Sequence, residues 1–371
     1  MKNNICIYIH WPWCNNICKY CDYYKFKNIK SIHYKTIFDS YVRDLKVLEE
    51  YFYDKPITSI HVGGGTPSIM ENCLLENILE YIFKKNTIAK NLEVSLEANP
   101  DDITCKKLKK YKDIGVNRLS IGVQSFSNET LKFLGRSHNK EQAINSVLNG
   151  AEYLKNIGID LISSTPVFKK NDFENQLIFA RELPIKHISI YEFYYQNISK
   201  EFGVLDKKYL LKNYKKILEE KKFFLYEINS FSKARYKSRY NSSVMGMKNY
   251  IGIGPSSQGR VYKESYFIKL KNTKSLTKWM NPNINPYQKR VLSKENAIEE
   301  FLLLGLSKSE GISIKELLKL TNHEVSKYID FKNISILKKK KLLFEDKNRL
   351  FLNEKGMLLI NSILSNILLT S

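Results

Sequence analysis

Six short β-rich runs, each followed by a stretch of helical periodicity, set the architecture open to this chain. The runs are Ile5 to His10, Ser59 to Val62, Glu93 to Glu97, Arg118 to Val123, Ile159 to Ile162 and Ile188 to Phe193. Between them lie amphipathic stretches such as Tyr34 to Phe52, Leu74 to Lys85, Thr130 to Leu134 and Ala143 to Asn156. A strand followed by a helix and then another strand gives a parallel sheet with helices outside it. Residues 1–230 therefore predict an α/β fold, an incomplete (β/α)6-type barrel. The unusual residues fall at the ends of successive runs: three cysteines, then Gly63-Gly64-Gly65-Thr66-Pro67, Glu97-Ala98-Asn99-Pro100, Gln124 and Asp160. In parallel α/β barrels that end of the strands carries the chemistry.

The pattern then changes. A seventh β-rich run, Phe223 to Ile228, leads into a Ser/Arg/Tyr-rich segment, Asn229 to Val244, and glycines at 252, 254 and 259. Residues 231–285 are expected to form a connecting loop region returning over the barrel mouth. Residues 286–371 hold helical segments, Lys294 to Ser309 and Ser313 to Leu320. The runs Lys338 to Leu343 and Leu350 to Leu352 then flank Glu345-Asp346-Lys347-Asn348, and a last helix follows Glu354. Helices followed by a hairpin suggest a smaller, winged-helix-like α+β module.

No apolar run approaches the roughly 18 residues that span a bilayer. The first β-rich run starts at Ile5 and leaves no room for a leader, so the expected location is the cytoplasm. The formal charge is +22, but the 60 basic residues are 51 Lys and 9 Arg amid abundant Ile, Asn and Tyr. That bias favours a solvated lysine surface over a nucleic-acid site, with peripheral attraction to acidic lipid as a further reading.

Reduced cytoplasmic thiols point to metal ligation where cysteines crowd together. Cys14-x3-Cys18-x2-Cys21 offers three thiolates from one short loop, whereas a closed [4Fe-4S] or structural zinc site needs four ligands. One iron would stay open, the arrangement in which S-adenosylmethionine (SAM) chelates the fourth iron and is cleaved to a 5'-deoxyadenosyl radical. The alternative is a zinc site completed by His10 or Cys6. It accounts for neither the glycine run nor the polar strand ends. Gly64, Gly65 and Thr66 can bring backbone close to the amino-acid part of SAM, although a tight strand-to-helix turn would use the same residues. Glu97, Gln124, Arg136 and Asp160 suit the carboxylate, amine and ribose hydroxyls. Tyr8 reads either as a ring over the sulfonium or adenine or as a core tyrosine. Cys6, Cys73 and Cys105 read as structural thiols.

These residues carry a family resemblance. Tyr8-Ile-His-Trp-Pro-Trp-Cys14 through Cys21-Asp22, the glycine run, Glu97-Ala-Asn-Pro100, Arg118-Leu-Ser-Ile-Gly-Val-Gln-Ser-Phe126, Leu134-Gly-Arg136-Ser-His138, Asp160-Leu-Ile and Tyr226-Glu-Ile-Asn-Ser-Phe231 resemble the oxygen-independent coproporphyrinogen III dehydrogenase family of radical SAM proteins. The resemblance implies a radical SAM barrel, a cluster on Cys14, Cys18 and Cys21, and SAM contacts from Tyr8, Gly64, Gly65, Thr66, Glu97, Gln124, Arg136 and Asp160. The dehydrogenases have a further cysteine two places after the third cluster cysteine, where this chain has Tyr23, and a segment ahead of the first strand. The chain therefore looks more like the heme chaperone branch, which is thought to bind heme and pass it to acceptor hemoproteins.

The branch's His-Asn-x-x-Tyr-Trp motif aligns with Tyr240-Asn241-Ser-Ser-Val244-Met245, and its Ala-His-Gly with Ser257-Gln258-Gly259. Tyrosinate and thioether both ligate haem iron elsewhere, so Tyr240 and Met245 are the candidate heme ligands. The resemblance also implies heme or porphyrin as ligand, an acceptor hemoprotein and, where SAM is cleaved, an electron donor such as flavodoxin or ferredoxin. Two rival readings are an oxygen-independent coproporphyrinogen III oxidase and a nucleic-acid-modifying radical SAM enzyme.

Overall fold

A computed structural model describes residues 4–27, 33–168, 171–193 and 207–369. Its centre is a run of parallel strands, β1 (Ile5–Trp11), β2 (Ile57–Gly64), β3 (Ile88–Ala98), β4 (Arg118–Gln124), β5 (Asn156–Ser163) and β6 (His187–Glu192), hydrogen-bonded in that order. All six expected strands are present, each within a few residues of its sequence reading.

The period of two sorts their side chains into two faces. Ile7 and Ile9 of β1, Ile60 and Val62 of β2, Leu119 and Ile121 of β4 and Ile157 and Ile159 of β5 are buried in one core with the flanking helices. Burying each such aliphatic side chain stabilises the fold by roughly 2 kcal/mol. The opposite face is polar on every strand: Cys6, Tyr8 and His10; Ser59, His61 and Gly63; Glu93, Ser95 and Glu97; Arg118, Ser120 and Gly122; Asp160; His187, Ser189 and Tyr191. Strands covered on both faces by hydrophobic packing would read as continuous apolar runs, so this alternation marks a polar lumen.

The parallel core is extended at both edges into a sheet of 12 strands. The seventh β-rich run opens a hairpin, β7 (Phe224–Glu227) with β8 (Ser230–Ser232), and β8 pairs antiparallel to β6. At the other edge β9 (Asn249–Ile253) runs parallel to β1, followed by antiparallel β10 (Gln258–Lys263), β11 (Tyr266–Asn272) and β12 (Tyr287–Val291). Residues 231–285 thus hold three strands of the large sheet and two short helices rather than only a connecting loop. Asp44, on the Tyr34–Leu48 helix, locks this extension to the barrel. Its buried Oδ2 accepts from Gly254 N at 2.8 Å, Asn272 Nδ2 at 2.8 Å and Trp279 Nε1 at 2.9 Å.

Nor does the Ser/Arg/Tyr-rich segment return over the mouth. Arg239 N donates to Glu93 Oε1 at 2.8 Å, Arg118 Nη1 donates to Tyr236 O at 2.9 Å, and Asn241 Nδ2 donates to Glu227 Oε1 at 3.1 Å. Arg118 opens β4, and Glu93 faces the lumen well before the end of β3. The Arg239–Met245 helix therefore plugs the base of the barrel, where its polar groups satisfy buried charges that would otherwise lack partners.

The C-terminal module contains the Lys294–Leu306, Ile314–Leu320 and Phe331–Lys339 helices, a small three-stranded sheet with an antiparallel Leu343–Glu345/Arg349–Leu352 hairpin, and two final helices. Lys338 lies in the last turn of a helix rather than starting a strand. The large sheet runs through Val291, so the module begins near 292 rather than at 286. Its core includes Met247 and Phe267 from the barrel's extension, and Arg260 forms a 2.6 Å ion pair with Glu300.

Candidate cluster and cofactor site

The cysteine loop is built by close approach of two backbones. After β1 the chain pairs Trp13–Cys14 with Phe26–Lys27, and the loop between them carries Cys18 and Cys21. The glycine run holds this loop. Gly65 N donates to Trp11 O at 2.6 Å and Thr66 N to Trp13 O at 2.9 Å. A Cβ at Gly65 would lie 2.6 Å from Trp13 O, and at Gly64, where φ is +113°, 2.7 Å from the His10 ring. Glycine is needed at both positions for steric reasons. The amides of Gly65 and Thr66 are thus committed to the cysteine loop, while Gly64 N lies 3.3 Å from Glu97 Oε2.

Cys14, Cys18 and Cys21 line one cavity of about 500 Å³ together with Gly64, Gly65, Thr66, Glu97, Gln124, Arg136 and Asp160. Ten of the thirteen residues singled out from the sequence converge there. Cys14 is buried, and burial pushes its thiol up, partly offset by a hydrogen bond with Thr66. Cys18 and Cys21 are half-buried. Among the described residues no three His, Cys, Asp or Glu side chains are placed to hold a single metal ion. Three thiols on one cavity match the donor set of a cluster, whose thiolates sit on separate irons.

Arg136 spans the wall next to them. Its Nη1 lies 3.3 Å from Cys18 Sγ and 3.4 Å from the Tyr20 hydroxyl, and its Nη2 donates to Asn99 Oδ1 at 2.7 Å and Gly122 O at 3.1 Å. Its Nε is buried with no partner, an orphan donor that suits an anionic ligand group. Gln124 has φ +65°, rare for a residue with a side chain and concentrated at functional positions. Glu97 Oε1 accepts from His61 Nε2 at 3.0 Å. Asp160 Oδ2 accepts from Ser120 Oγ at 3.2 Å, and burial, reinforced by the charge of Glu97, pushes its carboxyl up to about 6. Two carboxylates beside an open thiol loop suit a ligand carrying ammonium and sulfonium charge, and the cavity volume suits a nucleoside-sized molecule.

Tyr8, Tyr240 and Met245 are placed elsewhere. Tyr8 lies one layer below the cavity, its hydroxyl 3.1 Å from His10 Nδ1. The Tyr240 ring stacks on His61 at 4.9 Å and on Tyr8 at 5.7 Å. Met245, five residues along the same helix, points about 140° away from Tyr240. The sequence reading missed His61, Asn99, Tyr20, Tyr23 and Tyr191, of which all but His61 line the cavity. Strand period would have found His61, which lies two residues before Gly63 and shares its face.

This fold and site define a radical SAM protein. The model of the Radical SAM superfamily matches residues 8–179, and that of the HemN C-terminal domain matches residues 292–359. That class carries a [4Fe-4S] cluster and SAM, and the residues present fit both. The chain is 30% identical over 97% of its length to the heme chaperone HemW of Buchnera aphidicola subsp. Acyrthosiphon pisum, covering 97% of that protein. It is likewise 30% identical to the heme chaperone HemW of Lactococcus lactis subsp. lactis, covering 98% of this chain and 97% of that one. The fold matches Escherichia coli coproporphyrinogen III oxidase (HemN) with a TM-score of 0.83 at 18% identity, over 98% of this chain and 89% of that one. The chain belongs to the HemW heme chaperone family. Among the described residues no helix is long and apolar enough to cross a membrane.

Proposed function

We propose that this chain is a cytoplasmic heme chaperone of the radical SAM type, with its cluster on Cys14, Cys18 and Cys21. The convergence of those thiols, two carboxylates and the Arg136 guanidinium on one cavity carries the reading. Cluster and SAM together supply one-electron chemistry when bound. The chain's own residues do the holding. Glu97 and Asp160 present acceptors to the amine and ribose hydroxyls, Arg136 presents its free Nε–H to the carboxylate, and Gln124 adds polar contact from its left-handed corner. Heme is the cargo, delivered to an acceptor hemoprotein, with Tyr240 and Met245 as the candidate ligands. Their placement on different faces of one helix means that only one of them can reach a given iron.

Anaerobic reconstitution should give about four irons and four sulfides per chain, and Cys14→Ala, Cys18→Ala or Cys21→Ala should abolish them. SAM should then shift the EPR spectrum of the reduced cluster. Hemin should bind at roughly one per chain, and Tyr240→Phe or Met245→Ala should move the Soret band if that residue is the ligand. Stoichiometric zinc without iron-sulfur absorption ends the cluster reading. SAM binding without hemin binding ends the chaperone reading, and conversion of coproporphyrinogen III to a decarboxylated product would establish the oxidase instead.

A further inference from the structure

His61 lies outside the cavity, yet both nitrogens of its imidazole have partners and two tyrosine rings pack against it. Nε2 is 3.0 Å from Glu97 Oε1 and Nδ1 is 2.6 Å from Ser95 Oγ. Tyr8 stacks at 5.8 Å with an interplanar angle of 17°, and Tyr240 stacks at 4.9 Å and 6°. A carboxylate only accepts hydrogen bonds, so Nε2 carries a proton towards Glu97, while Nδ1 is tied to the Ser95 hydroxyl, which also donates to Ile60 O at 3.4 Å. An imidazole held through both nitrogens and packed in a triangle with Tyr8 and Tyr240, themselves 5.7 Å apart, cannot rotate without breaking several contacts.

Glu97 is the member of this group that reaches the cavity, where its side chain remains 30% exposed. One oxygen is held by His61 and the other lies 3.3 Å from Gly64 N. Gly63 adds a steric condition, because a Cβ there would fall 2.9 Å from Glu97 Oε1. A carboxylate has about four acceptor sites, so two are spent on protein and the rest face the ligand. The orientation of Glu97 is therefore decided one layer below the site, at His61.

We propose that His61 is a positioning residue that sets the Glu97 carboxylate for the ammonium group of SAM, and that the cluster of the Tyr8, His61 and Tyr240 rings ties this setting to the helix at the barrel base. The proposal rests on the reading of the cavity as a SAM site. His61 touches neither cofactor nor cluster. It acts through the carboxylate, as groups behind a ligand-binding residue commonly do.

The test uses full-length, anaerobically reconstituted protein, with SAM affinity and the SAM-induced EPR shift as readouts and iron content as the control for an intact site. His61→Ala should retain the cluster and weaken SAM binding about tenfold, the effect of one lost hydrogen bond to a charged group. His61→Gln, whose amide nitrogen stands near the Nε2 position, should recover most of that loss. A purely structural role would not show such rescue. Glu97→Gln should weaken binding at least as much, and the double variant His61→Ala/Glu97→Gln should be no weaker than Glu97→Gln alone. Native affinity in His61→Ala, absence of rescue by His61→Gln, or additive losses in the double variant would each overturn the proposal. Should His61→Ala lose its cluster, His61→Gln decides by itself, with near-native SAM binding and a normal EPR shift expected and a tenfold loss contradicting it. Failure of the unsubstituted protein to bind SAM would instead remove the reading of the cavity itself.

Discussion

Asp160 is a carboxyl whose ordinary range lies near 4 and which burial, with Glu97 nearby, pushes up to about 6. Because the folded-state value is raised, its favourable contribution to stability is complete below the unfolded value and is lost as pH rises through about 6. Ligand binding runs the other way. A cationic ligand with hydroxyls to satisfy favours the ionised form, so SAM affinity should fall as pH drops below about 6, and Asp160→Asn should flatten that step. Isothermal titration on both sides of the transition checks it, and an unchanged pH profile in the Asn variant would assign the step to another group. At this scale the sequence was legible where ligation demands fixed spacing within a few residues, as in Cys14, Cys18 and Cys21. It did not give the partners of His61 and Asn99, which come from neighbouring strands and loops: register alone brings His61 beside Ser95 of β3.

Among the elements, the six parallel strands were readable because each alternates aliphatic and polar residues between a dry core and a polar lumen. The antiparallel extension was not. β12, for example, exposes four of its five residues and shows no period to detect. That extension depends on Asp44, a buried acceptor for three donors from separate elements. Asp44→Ala should strand all three and lower stability by about 3 kcal/mol or more, seen as a shifted midpoint in chemical unfolding. A change below about 1 kcal/mol would mean that water replaces the carboxylate. The base helix offers a separate check. Tyr240→Leu removes a ring packed against His61, so it should weaken SAM binding several-fold as well as any effect it has on hemin.

For the whole molecule, a C-terminal helical module was legible in its helical periodicity but its placement was not, since the contacts that place it join distant segments. The barrel's extension and the module share a core and the Arg260–Glu300 ion pair, in which the Arg260 side chain is 1% exposed. The two parts should therefore unfold in one calorimetric transition. Glu300→Gln leaves the buried guanidinium without its counter-charge and should cost roughly 3 kcal/mol, lowering the single transition. A split into two transitions in the unsubstituted protein would show that the module is only loosely joined.

The two hydrogen bonds from the glycine run to Trp11 and Trp13 reach beyond packing. The same stretch of chain that anchors the cysteine loop also forms a wall of the cofactor cavity, so the inorganic and organic ligands share a foundation. A substitution that opens either hydrogen bond should therefore displace the thiol loop and the cavity wall together, so damage at one ligand's seat is felt at the other's.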